Sequence, residues 1–175
     1  MPPWLEAADG GGFTLVLIDP FANPDHGDPL SWRSSAAPGG TPGGSDSIAL
    51  AAFLADAGIA DPNANDDGDR LPAWAEYAVG TDPNAPSVVP SSAAVEEFDP
   101  GTGPESWLTF RIQKRIGADD AAIGAQWSGE LLDWSGLMEF VAEENNGDGT
   151  AWLIFRSTGP VGSEAFARGV IRMAP

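Results

Sequence analysis

Glycine and proline constrain the fold of this chain more than any other feature. The chain has 22 glycines and 16 prolines, which are concentrated in residues 1–44 and 80–104 and follow no fixed period. Because both residue types interrupt helices and favour turns, we expect turn-rich β structure with linkers and no long helix. Hydrophobic residues make up 42% of the chain, which is enough for a modest core.

Charge is distributed unevenly along the chain. Residues 1–106 carry 17 of the 26 acidic side chains and only two arginines, whereas residues 107–175 carry six of the eight basic side chains. The net charge of −18 repels phosphate and anionic lipid, so we expect no nucleic-acid partner and no membrane insertion. Divalent cations are the favoured ligands, and an acidic surface adapted to a saline environment is the alternative interpretation.

Cysteine content and hydropathy limit how the chain is stabilised and exported. The chain has no cysteine, so disulfides, cysteine nucleophiles and cysteine-ligated metals are excluded. No apolar run reaches the length of a membrane span, and residues 1–12 lack the basic start and apolar stretch of a signal peptide. If the protein is exported, we expect its export signal to lie upstream of this sequence.

The first half of the chain predicts one strand and two short helices. Residues 13–18 are apolar and β-branched, which is typical of a strand, and a long loop follows them. The helices are predicted over residues 48–57, with N-cap oxygens in residues 45–47 and Gly58 at the end, and over 73–79, between Pro72 and Gly80.

The C-terminal part has the pattern of antiparallel β structure. Apolar and mostly polar residues alternate in its first segment, and the stretch 145–149, Asn-Asn-Gly-Asp-Gly, predicts a tight turn. Five strands are expected, over residues 107–113, 122–128, 137–142, 151–156 and 165–173. The prediction is a mainly β fold with a small antiparallel β-sandwich over residues 105–175, preceded by a linker over 84–104.

An Asp/Asn-rich loop at residues 65–76 has the spacing of an EF-hand-like calcium loop. Calcium takes six to eight oxygen ligands, and a tight turn directs alternate side chains inward. Side-chain oxygens at loop positions 1, 3, 5 and 12 and the backbone carbonyl at position 7 would contribute to the shell. The predicted ligands are Asn65, Asp67, Asp69, Leu71 and Glu76.

Three residues depart from the calcium-loop pattern. Arg70 occupies position 6, where a left-handed turn favours glycine, Ala73 occupies position 9, and Asn65 is neutral. We therefore expect weak binding, with a dissociation constant on the order of 0.1–1 mM. The alternative is an Asx-rich turn that binds no metal.

The N-terminal segment resembles a known bacterial domain. Residues 17–20, 32–35 and 40–43 read Leu-Ile-Asp-Pro, Trp-Arg-Ser-Ser and Gly-Thr-Pro-Gly, which resemble the C-terminal end of bacterial lamin-tail domains. The resemblance implies an immunoglobulin-like sandwich whose other strands precede Met1. Residues 1–44 are therefore interpreted as a truncated lamin-tail-like edge.

The acidic loop lies within a second block that resembles a known module. Residues 61–64, 76–77 and 80–83 read Asp-Pro-Asn-Ala, Glu-Tyr and Gly-Thr-Asp-Pro, similar to a linker of secreted multidomain proteins in the Verrucomicrobia and related bacteria. The resemblance implies a dockerin-like or thrombospondin-repeat-like calcium element in residues 45–83. It also implies an extracellular or cell-surface location and neighbouring domains in a longer parent chain.

The side chains of the sequence predict a non-catalytic protein. His26 is the only histidine, and no nucleophile–base set is visible, so no catalytic residue is proposed. We expect a calcium-stabilised structural, adhesive or anchoring segment. The alternative is a carbohydrate-binding accessory module of a polysaccharide-degrading enzyme, in which exposed Trp127 and Trp134 would stack on the sugar rings of a polysaccharide or another cell-surface component.

Overall fold

The computed structural model describes residues 4–162 and 164–173, and the fold is mainly β with a curled antiparallel sheet. The described residues include two α-helices, α1 at Leu50–Ala57 and α2 at Ala73–Val79, and short 3-10 helices at Glu6–Ala8 and Pro29–Ser31. The strands are β1 Leu15–Leu17, β2 Trp32–Ser34, β3 Ser91–Phe98, β4 Glu105–Arg115, β5 Ala121–Ser128, β6 Gly136–Asn145, β7 Thr150–Ser157 and β8 Phe166–Met173.

Six strands form one antiparallel sheet in the order β3-β4-β7-β6-β5-β8. The sheet turns sharply between β5 and β6. These strands pair at only two positions, Gln126 with Leu137 and Trp127 with Gly136. Beyond this turn, β8 approaches β4 closely. The space beside Gly169 of β8 is so small that an added Cβ atom would lie 2.5 Å from Cδ1 of Ile112 in β4. The sheet therefore curls around its own apolar face.

The core lies on the inner face of the curled sheet. In β4, Leu108, Phe110 and Ile112 are buried, and they face the buried Leu153 and Phe155 across the β4–β7 ladder. Strand geometry sends every second side chain to the same face. The predicted alternation in this segment, the five predicted strands and the turn at residues 145–149 are all confirmed.

A sixth strand lies where the sequence predicted only a linker. β3 pairs with β4 over its full length, although all eight of its residues are exposed. Side chains reinforce the pairing: the Thr109 hydroxyl donates to Glu96 over 2.8 Å, and the Phe98 ring lies 5.4 Å from that of Trp107. The segment was missed because neither face of β3 is buried, so its sequence carries no apolar alternation.

The two helices differ in how well the sequence located them. α2 begins after Pro72 and ends at Gly80, as predicted. α1 begins at Leu50, later than predicted, and no side chain caps it. The predicted capping residue Asp46 instead accepts hydrogen bonds from Arg33, so a tertiary ion pair replaces the local cap.

α2 is fixed to the sheet by both apolar and polar contacts. Tyr77 is fully buried, and its hydroxyl donates to the carboxylate of Asp120 at the start of β5. Side chains of β4 bind the carbonyls at the end of the helix: the Gln113 amide donates to Val79 over 2.9 Å, and Arg115 Nε donates to Tyr77 over 3.1 Å. These bonds satisfy carbonyls that a helix terminus leaves unpaired.

The N-terminal segment packs onto the inner side of the sheet. β1 pairs with β2, and Arg33 in β2 is 3% exposed between the carboxylates of Asp46 and Asp119. The buried Ser34 donates to Glu143 of β6 and accepts from the amide of Asn145. Residues 33–34 are thus held to the sheet by a buried polar network.

Candidate metal centre

Side-chain hydrogen bonds to the backbone shape the loop that precedes α2. Asn65 Oδ1 accepts from the amide of Gly68 over 2.8 Å, and Asp69 Oδ1 accepts from the amide of Leu71 over 2.7 Å. Asp67 Oδ1 accepts from the amide of Asp69 over 3.3 Å. Such Asx turns tighten the chain and turn successive acidic side chains toward one side.

Arg70 adopts the backbone conformation for which the calcium-loop pattern requires glycine. Its φ is +78°, in the left-handed region. A residue with a Cβ atom costs roughly 1–2 kcal/mol in this conformation. The departure at position 6 therefore leaves the turn intact, and it introduces strain instead.

Three of the predicted ligands converge at the end of the loop. Carboxylate oxygens of Asp67, Asp69 and Glu76, one from each residue, lie within 4.8 Å of one another. Glu76 is only 1% exposed, because it belongs to the buried face of α2. Asp67 Oδ2 is also buried and has no hydrogen-bond partner in the described part of the chain. These three residues are called the carboxylate cluster below.

The electrostatics of the carboxylate cluster are unfavourable without a counter-charge. Burial, followed by the charges of Asp67 and Asp69, raises the pKa of Glu76 to about 7. Hydrogen bonds from the amides of Leu71 and Ser87 lower the pKa of Asp69, so this carboxylate stays ionised. None of the ion pairs among the described residues involves the cluster. A bound cation would supply the missing positive charge.

The other two predicted ligands have different surroundings. Asn65 is exposed, and its Oδ1 is already engaged by Gly68. Leu71 donates its amide to Asp69 and is partly buried. Their contributions to a metal shell stay predictions, whereas Asp67, Asp69 and Glu76 are close enough to share one ion.

Two residues that support the cluster were missed from the sequence. The Thr81 hydroxyl donates to Glu76 Oε1 over 3.3 Å, just beyond the end of α2. Ser87 donates to Asp69 Oδ2 through its amide over 2.8 Å and through its hydroxyl over 3.2 Å. Ser87 lies in the predicted linker, where no sequence pattern identified it. Residues 81–87 therefore connect the cluster to the start of the sheet.

The two tryptophans predicted to bind sugar are both partly buried. Trp127 packs partly buried against the core, and its indole N–H is buried without a partner among the described residues. Trp134 donates its N–H to the carbonyl of Leu131, and the guanidinium of Arg168 lies 4.5 Å from its ring centre. Beside Trp127 is a hollow of about 430 Å³, whose lining includes the polar residues Glu130, Asp133 and Ser135.

Comparisons with known proteins do not place the chain in a family. No protein-family model, no curated protein and no solved structure matches it. Among the described residues, none of the helices is long and apolar enough to cross a membrane.

Proposed function

We propose that this chain is a non-catalytic, calcium-stabilised structural segment of a secreted or cell-surface protein. The observation that carries the proposal is the convergence of Asp67, Asp69 and Glu76 on one point, with Glu76 almost fully buried. A buried carboxylate next to two others is costly unless a cation neutralises it.

The ligand types favour calcium over zinc. The carboxylate cluster offers only oxygen ligands, and calcium accepts such ligands in flexible numbers and geometries. Zinc favours thiolate and imidazole ligands, and the chain has no cysteine and a single histidine. Asn65, the carbonyl of Leu71 and water would complete the shell in the predicted EF-hand-like scheme.

Cation binding would stabilise the junction between the loop and the sheet. Glu76 lies on α2, which packs on the sheet, and Asp69 is bonded to Ser87, close to the start of β3. An ion shared by these residues binds the folded state and not the unfolded chain. At a calcium concentration of ten times the dissociation constant, the gain is about 1.4 kcal/mol.

The expected affinity supports a location outside the cell. Sites with dissociation constants of about 0.1–1 mM are filled only where calcium is millimolar, as in extracellular modules. The strongly acidic composition is consistent with such a role. In this proposal, residues 1–44 are the edge of a lamin-tail-like domain, residues 45–83 are the calcium-type connector, and the curled sheet is a small β-sandwich. Neighbouring domains of a longer chain are the proposed partners.

The test is thermal unfolding with calcium, with magnesium and with chelator. Calcium is expected to raise the melting temperature of the wild type, and Asp67→Asn and Glu76→Gln are expected to abolish that increase. Asp66→Asn is the matched control, because Asp66 lies in the same loop but is exposed and outside the cluster. An equal calcium effect in all variants, or none in the wild type, would overturn the proposal.

Carbohydrate binding is the second candidate function, favoured by the hollow beside Trp127, which combines an aromatic ring with carboxylates and a hydroxyl. Aromatic faces next to carboxylates and hydroxyls are typical of sugar sites. Affinity electrophoresis in gels containing soluble polysaccharides tests it. Retardation that Trp127→Ala or Trp134→Ala abolishes and Trp4→Ala preserves would support this function, since Trp127 lines the hollow, whereas Trp4 is exposed and distant in sequence. Unchanged mobility in all gels would exclude binding to the polysaccharides used.

A further inference from the structure

A cavity of about 300 Å³ lies between the N-terminal segment and the inner face of the curled sheet. Its walls are mainly apolar and aromatic. They include Leu5, Trp32, Phe140, Leu153 and Phe155, together with the charged side chain of Lys114. Ligand sites in β structures commonly occupy such a position, at the mouth of a curled or closed sheet.

Lys114 is the only lysine in the chain, and it has no hydrogen-bond or ion-pair partner among the described residues. The other charged residues of the cavity wall are engaged elsewhere. Arg33 pairs with Asp46 and Asp119, and Glu143 accepts hydrogen bonds from Ser34. The Glu143 carboxylate acts on Lys114 through space but forms no ion pair with it. Among the described residues, Lys114 is thus the charged wall residue that has neither a hydrogen bond nor an ion pair.

Lys114 lies on the inner face of the sheet. It lies in β4, opposite Ala151 of β7, on the same face of the strand as the buried Ile112. Burial lowers the pKa of Lys114, against the opposing influence of Asp119 and Glu143. An ammonium group in such surroundings gains more from an anionic partner than an exposed one does.

We propose that this cavity binds a small anionic amphiphile, whose carboxylate contacts Lys114 and whose apolar chain lies against the aromatic walls. The volume is at the lower end of the range for ligand pockets, about 300–1,000 Å³, so the ligand is small. Leu30 lines the cavity and is 54% exposed, which places an opening to solvent beside it. This inference is independent of the metal centre.

The experiment titrates the protein with octanoate, 1-octanol and octylammonium by calorimetry. The three probes share a chain length and differ in the charge of the head group. Wild-type protein is expected to bind octanoate at one saturable site, 1-octanol more weakly and octylammonium most weakly. No saturable binding of octanoate, or equal binding of octanoate and octylammonium, would overturn the proposal.

Substitutions of Lys114 locate the effect at the cavity. Lys114→Met is expected to weaken octanoate binding roughly tenfold, because a charged hydrogen bond is lost, and to leave 1-octanol binding nearly unchanged. Lys114→Arg is expected to retain most of the octanoate affinity. Arg168→Met is the control, because Arg168 is exposed and its contacts, Gln126 and Trp134, do not line the cavity. Octanoate binding that is unaffected by Lys114→Met would contradict the assignment. If that variant does not fold, the relative affinities of the three probes for the wild type decide whether the proposal holds.

Discussion

Two acidic clusters in this molecule are neutralised in different ways. Around β2, Asp46 and Asp119 share the guanidinium of Arg33, which lies 2.7 Å and 2.5 Å from them. In the loop before α2 and the first turn of α2, the carboxylate cluster has no ion-pair partner in the described part of the chain, although Glu76 is almost fully buried. In the first cluster, the protein itself supplies the positive charge through Arg33. The second requires a proton or a cation from solution.

The difference explains the opposite electrostatic behaviour of the two clusters. The pKa of Asp46 is lowered, because hydrogen bonds from Arg33 and the amide of Ala36 outweigh the effect of burial. The pKa of Glu76 is raised to about 7, because burial and two nearby carboxylates act in the same direction. A strongly acidic chain can therefore hold one cluster as a structural ion pair and keep another open for a metal.

The largest expected effect is the loss of Arg33. Arg33→Met leaves the largely buried carboxylates of Asp46 and Asp119 without a cationic partner and is expected to lower the free energy of unfolding by about 3–5 kcal/mol. Urea unfolding measures the change. Arg111→Met is the control, because its ion pair with Glu144 is exposed and is expected to contribute less than about 1 kcal/mol. Equal effects of the two substitutions would contradict the comparison.

The second prediction is that Glu76→Gln changes the free energy of unfolding in opposite directions with and without calcium. In chelator at pH 8, Glu76→Gln is expected to stabilise the protein by on the order of 2 kcal/mol, because it removes a buried charge that has two like-charged neighbours. In saturating calcium, the same substitution is expected to destabilise the protein relative to the wild type, because a ligand is lost. Urea unfolding in both buffers provides the measurement. Destabilisation in chelator would show that Glu76 is already satisfied within the protein.

The third prediction concerns pH. The pKa of Glu76 is raised from 4.5 to about 7 on folding, so the folded state holds the proton more tightly than the unfolded state. Below pH 4.5, Glu76 is protonated in both states and does not lower the free energy of unfolding. As the pH rises from about 4.5 to 7, ionisation of Glu76 lowers the free energy of unfolding progressively, and above pH 7 the loss is constant. The stability difference between Glu76→Gln and the wild type in chelator is expected to increase over this window. A difference that does not change with pH would contradict the raised pKa.

The smallest predicted effect is at Arg70. Arg70→Gly is expected to stabilise the loop by about 1 kcal/mol, because glycine adopts the observed φ of +78° without strain. Arg70→Gln removes the charge and keeps the Cβ atom, so the comparison separates the effect of the charge from the effect of backbone strain. Thermal unfolding in chelator measures both variants. Equal stabilisation by the two would mean that charge, and not backbone strain, is the cause.

The sequence predicted the elements whose signals are local. Pro72 and Gly80 bounded α2, the alternation in β4 identified the core face, and the spacing of acidic residues placed the three converging carboxylates. Each of these signals depends on residues that are near one another in the chain.

Features that depend on distant contacts were not predictable in the same way. β3 is stabilised by pairing with β4 and has no buried face. α1 lost its expected cap because Asp46 binds Arg33, 13 residues away. Ser87 reaches Asp69 across 18 residues. In each case, a tertiary contact replaced or created a structure that the local sequence does not indicate.

The most direct test of the central claim is a crystal structure of the protein grown in about 10 mM calcium, well above the expected dissociation constant. The account predicts an anomalous scattering peak at the carboxylate cluster, with oxygens of Asp67, Asp69 and Glu76 at about 2.3–2.6 Å from the ion. A cluster that holds only water under these conditions, with Glu76 unchanged, would contradict the assignment of a calcium site.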